Sequence, residues 1–109
     1  MFSGSLIKGT LKTIILKLLY EHGSMYGYEI TKQVEESSEG KLKLTLGAIY
    51  PTLHKLEKGG LLSSRSVEVD NRLRKYYALT AEGKKAAIKK INEYESFARI
   101  MHTIILSNN

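Results

Sequence analysis

Cysteine is missing from these 109 residues, so neither a disulfide nor a thiolate metal site can form. That absence suits a reducing cytoplasm, which is the expected location. Tryptophan is missing too, which removes one broad flat surface that a sensor of planar drugs could stack on. There is one proline, with no Pro- or Ser-rich linker, internal repeat or low-complexity tract, so a single compact unit is expected. No run approaches the ~20 apolar residues of a membrane span, and no membrane partner is expected. The apolar stretch LKTIILKLLY is broken by lysines and lacks a small-residue cleavage site after it, so it is not expected to be an export signal.

Acidic residues are scarce in one region. The whole chain has 17 Lys and Arg against 11 Asp and Glu, a net charge of +6. Residues 41–90 hold 12 of the basic and 4 of the acidic ones, leaving 5 basic and 7 acidic elsewhere. A regional excess of this kind favours a polyanionic partner. The apolar content, 42%, is enough for one core in a chain of this length and too little for two.

Ile7, Leu11, Ile14, Ile15, Leu18 and Leu19 recur at helical spacing and predict a first helix that His22 and Gly23 end. A second helix is expected after Ser24, with Tyr26, Ile30 and Val34 on one face and Gly40 closing the segment. A third runs from about Thr45 to Lys58, with Leu46, Ile49, Leu53 and Leu56 on its stripe and Gly59–Gly60 as its stop. The period then changes. LLSSRSVEV and RLRKYYAL are β-branched or aromatic segments joined at Asp70–Asn71, and they predict a hairpin whose register the pattern leaves open. Thr80 is a good N-cap for a long last helix.

Three helices, a hairpin and a helix make a mainly α (α+β) chain in the order of a winged helix-turn-helix, with the third helix placed to enter a major groove. Residues 1–80 would be the DNA-binding unit and 81–109 a C-terminal dimerisation helix, together one compact unit. At 100° per residue the stripe of the third helix leaves Gly47, Ala48, Pro51, Lys55 and Lys58 outward, with Thr52 and His54 at the margins. Small residues first would let the helix approach base edges, and lysines later could reach phosphates. A cap at Gly47 would put Pro51 at the last position whose N–H needs no partner, whereas a cap at Thr45 costs one bond. Lys41 and Lys43 precede the positive end of the helix dipole, an arrangement that fits a docked phosphate better than its absence. Arg65, Arg72, Arg74 and Lys75 gather toward the hairpin tip, where arginine suits phosphate or a narrow minor groove.

YGYEI at 26–30, GAIYPTLHKLEKGGLL at 47–62 and RKYYALTAEGK at 74–84, in this order and spacing, resemble the PadR family of bacterial transcriptional regulators. The resemblance spans nearly the whole chain. It implies a winged-helix repressor that binds double-stranded DNA as a dimer, with the 65–75 hairpin as its wing. It further implies that Thr45, Gly47, Ala48, Thr52 and Lys55 face bases or adjacent phosphates, and that Tyr26 and Tyr50 brace the helix pair or touch the DNA backbone.

In the last helix Ala87, Ile91, Tyr94, Ala98, Met101 and Ile105 follow spacings of four and three, an apolar seam that a small core cannot cover alone. A homodimer is the expected cover, and an inverted-repeat operator its counterpart. Tyr94, Phe97 and Met101 are candidate walls of a pocket for a small-molecule effector, since sites between packed helices are mostly apolar.

No catalytic residue, metal ligand or cofactor is expected. His22, His54 and His102 fall in separate segments, and SLIK at 5–8 matches Ser-x-x-Lys without that motif's companions. There is no Walker-type or dinucleotide-binding glycine loop. The alternative to a dimeric, effector-responsive, DNA-binding repressor is a winged-helix module that binds protein. Such a wing would expose apolar anchors rather than lysine and arginine.

Overall fold

A computed structural model describes residues 2–107; Met1, Asn108 and Asn109, at the ends of the two units expected above, lie outside the described residues. Helix α1 (Gly4–His22) starts where the Leu6 N–H donates to Ser3 Oγ at 3.3 Å and ends at Gly23. Leu11, Ile15, Leu16, Leu18 and Leu19 are buried, while Ile7 and Ile14 sit half-buried at the core's edge.

The first departure from expectation comes next. Met25 and Tyr26 are not helical but form a two-residue strand, β1 (Met25–Tyr26), antiparallel to Tyr77 and Tyr76. The following helix, α2 (Gly27–Ser37), therefore begins two residues later than a helix directly following Ser24 would. Two ladder positions whose partners lie far along the chain leave no local period to read. The Tyr26 N–H donates to Glu29 Oε1 at 3.1 Å, which satisfies a donor at the start of α2. Ile30 and Val34 carry the buried face.

Helix α3 (Leu46–Lys58) is capped by Thr45, whose Oγ1 accepts from the Ala48 N–H at 3.2 Å. Of the two boundaries the sequence allowed, this one places Pro51 inside the helix, where its missing N–H leaves the Gly47 carbonyl without its usual donor. Ile49, Leu53 and Leu56 are buried, whereas Leu46, expected on the same stripe, stands 39% exposed at the helix's first residue.

Strands β2 (Leu62–Val69) and β3 (Arg72–Leu79) pair from Leu62↔Leu79 to Val69↔Arg72. The register leaves Asp70 and Asn71 as a two-residue loop, at φ +50° and +64°. Both central residues of a twist-matched hairpin turn need positive φ, and Asp and Asn tolerate it better than most residues. The sheet order is β1-β3-β2. Its inner face contributes Met25, Leu62 and Tyr77 to the core.

Helix α4 (Ala81–Leu106) is fastened at its start: Thr80 Oγ1 accepts from the Gly83 N–H at 3.0 Å and donates to the Gly60 carbonyl at 2.7 Å. A Cβ on Gly83 would lie 1.9 Å from the Leu61 carbonyl oxygen, so only glycine lets the helix come this close. Ala87 is fully buried in the chain's own core. Beyond it no residue of α4 is buried, and the helix projects along a molecule 59 Å in its longest extent. The result is the expected four-helix, small-sheet architecture of a winged helix-turn-helix. No helix of the described residues is long and apolar enough to cross a membrane.

Candidate nucleic-acid interface

The outward face of α3 has the composition its spacing predicts: Gly47, Ala48, Pro51, Lys55 and Lys58 are all exposed. The helix has one acid, Glu57, and the fold turns it away. Glu57 Oε1 lies 3.7 Å from Lys75 Nζ on β3, and its other oxygen accepts from Ser64 Oγ on β2. This clamps the exit of α3 to the base of the hairpin and keeps negative charge off the outward face. Lys55 and Lys58 make no ion pair with any of the described residues.

The other predicted contacts divide. Thr45 is exposed with its oxygen occupied as the cap, and Thr52 is half-buried, its Oγ1 3.5 Å from the Ala48 carbonyl. Lys41 is exposed. Lys43 is exposed as well, but its Nζ is 3.7 Å from Glu35 Oε2 on α2, so part of its charge is offset before any partner arrives. Tyr50, 37% exposed, rests on the bare backbone of Gly27: a Cβ there would come within 3.0 Å of the ring carbon Cζ and the hydroxyl. Its ring also stacks with His54 at 6.0 Å. Tyr50 braces α3 against the start of α2.

On the hairpin, strand alternation separates the four basic residues that the sequence grouped. Arg65, Arg72 and Arg74 share the outer face with Tyr26 and Tyr76, while Lys75 turns inward to Glu57. The Arg74 guanidinium carbon sits 4.1 Å from the Tyr26 ring centroid, and that of Arg65 sits 5.6 Å from the Tyr76 centroid. Tyr26 and Tyr76 meet edge-on at 5.3 Å. None of the three arginines pairs with a carboxylate among the described residues. Hydrogen bonding to Tyr76, assisted by Tyr26 and Asp70, holds the Arg74 pKa above its ordinary value. On the inner face Tyr77 is fully buried, and its hydroxyl finds no hydrogen-bond partner among the described residues. Burial pushes its pKa above the usual phenol value.

Tyr76 and Glu57 were not singled out from the sequence. The alternation of RLRKYY does place positions 72, 74 and 76 on one face, but which face looks outward depends on the register.

A second open surface lies between α1 and α4. An apolar groove of about 930 Å³ brings together Tyr94, Phe97 and Met101, with Ile91, Ala98 and Ile105 of the predicted seam beside them and Leu6, Ile7 and Ile14 of α1 opposite. Ala87 is absent from the groove because its side chain packs into the chain's own core. Phe97, Ile100, Ile104 and Ile105 are 55–69% exposed. Among the described residues no cluster of His, Cys, Asp or Glu could hold a metal ion.

Two helices in sequence, the second with an acid-free outward face, and a basic hairpin beside them define a winged helix-turn-helix regulator. Residues 15–89 match the Transcriptional regulator PadR-like family, and the chain belongs to that family. A transcriptional regulator from Clostridium thermocellum superposes with a TM-score of 0.84 at 32% identity, covering 96% of this chain and 99% of the other. PadR of Bacillus subtilis in complex with operator DNA superposes with a TM-score of 0.68 at 31% identity over 75% of this chain and 46% of that one. A transcriptional regulator of Mycobacterium tuberculosis is 38% identical over 65 residues, 60% of this chain and 61% of its own length.

Proposed function

We propose that this PadR-family protein is a dimeric, sequence-specific DNA-binding repressor that a small-molecule effector releases from its operator. The observation that carries the reading is the pairing of an acid-free outward face on α3 with three wing arginines that form no ion pair among the described residues. The superposition on an operator-bound PadR supports it. Gly47 and Ala48 approach base edges, Thr52 reads from the margin of the groove, and Lys41, Lys43, Lys55, Arg65, Arg72 and Arg74 meet phosphates. Tyr26, beside Arg74, and Tyr50, against Gly27, hold this surface in place. Binding involves no chemical step.

The apolar seam of α4 supports a homodimer built on Ile91, Tyr94, Ala98, Met101 and Ile105, since in the single chain Tyr94 and Ile105 are exposed and Ile91, Ala98 and Met101 are only half-buried. Residues 2–80 then act as the DNA-binding unit and α4 as the dimerisation helix. Two-fold symmetry calls for an inverted repeat with half-site centres about 10 base pairs apart, or a multiple of that. An effector seated against Tyr94, Phe97 and Met101 induces only if it prefers the DNA-incompetent arrangement of the two wings, because equal affinity for both states shifts nothing.

Selection of bound sequences from random duplex DNA tests the reading directly. A palindromic motif bound with steep salt dependence is the expected result. Lys43→Ala should weaken all sequences alike, and Thr52→Ala should change the preference at particular base pairs. No enriched motif, or equal binding at low and high salt, would overturn it.

A further inference from the structure

The two residues of β1 do one thing that a tighter loop could not: they set Tyr26 directly opposite Tyr76 on β3. On the same outer face, the diagonal neighbour of Tyr26 is Arg74, two residues back along β3, a separation that long and aromatic side chains bridge. The bridge is made. The Arg74 guanidinium carbon is 4.1 Å from the Tyr26 ring centroid, the closest of the cation–ring approaches among the described residues. Tyr76 presses edge-on against Tyr26 from one side, and Tyr28 stacks on it from another at 6.4 Å. Arg65 lies over Tyr76 in turn. Two of the three wing arginines, Arg74 and Arg65, are thus laid over aromatic rings.

We propose that Tyr26 is a positioning residue for DNA binding: its ring holds the Arg74 guanidinium at the outer face of the sheet, so that the arginine meets a phosphate already ordered. This rests on the reading above that Arg74 contacts phosphate. A guanidinium held over a ring engages the ring's negative face, and of its five N–H donors those not turned to Tyr76 remain for a phosphate. An arginine otherwise loses much rotamer freedom when it binds, and a strap made before binding reduces that loss. The ring face does this work, not the hydroxyl, so Tyr26 acts through Arg74 and needs no contact with DNA of its own. The same contact ties the start of α2 to the wing.

Affinity for duplex DNA of random sequence, which reads the phosphate term alone, tests the proposal through a double-substitution cycle. Tyr26→Leu should lower affinity about tenfold, whereas Tyr26→Phe, which keeps the ring, should stay within about twofold of the parent. In an Arg74→Ala background the same Tyr26→Leu change should matter less than about twofold. Equal losses in both backgrounds would mean that Tyr26 acts on the fold or on DNA directly, and a Phe variant as weak as Leu would mean that the hydroxyl is the contact; either result overturns the strap. An independent readout needs no DNA: the Arg74 side-chain protons of the free protein should show an upfield ring-current shift that Tyr26→Leu removes. Absence of that shift refutes the strap itself. Its presence in a protein that fails to bind duplex DNA at any salt concentration refutes the DNA-binding reading, and with it the positioning role.

Discussion

The edge formed by α3 and the wing and the groove between α1 and α4 are both open to water, yet they are built on opposite chemistry. At the first, cations project from small or aromatic supports, and two of the nearby acids, Glu57 and Glu35, are drawn aside into ion pairs. At the second, large apolar side chains stand up to 69% exposed with hardly a charge among them. A cationic edge loses little by staying solvated and gains from a polyanion by releasing its counterions. An apolar row loses free energy in water whatever the salt, at ~25 cal/mol per Å² left uncovered. The first surface can wait for its partner; the second calls for cover at all times. That contrast suits the regulator proposed above, with a constitutive dimer and conditional DNA binding.

The largest effect should come from breaking the apolar surface without touching the cationic one. Tyr94 and Ile105 of the seam are 49% and 69% exposed, so Tyr94→Glu with Ile105→Glu should leave the fold of the single chain intact. The pair should give a monomer by sedimentation and lower operator affinity about 100-fold or more through loss of the second half-site. A doubly substituted protein that still sediments as a dimer would move the interface elsewhere.

Next comes the point that joins α4 to the body. Gly83→Ala drives a methyl into the Leu61 carbonyl at 1.9 Å, a backbone that cannot step aside cheaply. It should destabilise the chain by about 3 kcal/mol, read from denaturant midpoints. A change under about 0.5 kcal/mol would show that α4 can lift off the body freely.

A smaller effect sharpens the cationic side. If Lys55 meets a phosphate, Lys55→Ala should weaken operator and random DNA alike and reduce the slope of log affinity against log salt by about 1. An unchanged slope would assign Lys55 to solvent.

The smallest concerns the core beneath the wing. Tyr77 buries a hydroxyl that has no partner among the described residues, so Tyr77→Phe should leave stability unchanged or raise it by up to about 1 kcal/mol. The sign of its pH dependence follows from burial. The folded-state pKa is raised above 10.0, so above that pH the unfolded phenol ionises while the folded one resists. The parent should therefore lose stability there faster than the Phe variant. Parallel stability curves for the two proteins above pH 10 would show that Tyr77 ionises as readily in the fold as out of it.

The amino-acid sequence by itself determined the elements that rest on local chemistry. Thr80 caps α4 because a hydroxyl three residues ahead of a free N–H needs no help from the rest of the chain. Asp70 and Asn71 make the turn because they accept positive φ, and the α3 stripe buries Ile49, Leu53 and Leu56 because 3.6 residues per turn aligns them. The outward lysines of α3 follow from the same period. Tertiary structure alone decided what depends on partners distant in the chain. It made Met25 and Tyr26 a strand by pairing them with Tyr77 and Tyr76, and it chose which hairpin face carries arginine. It withdrew Ala87 from the α4 seam by packing it in the core, and drew Glu57 and Lys75 together away from the α3 face. Local spacing says which side chains share a face, but what that face meets depends on segments far along the chain, which only folding brings together.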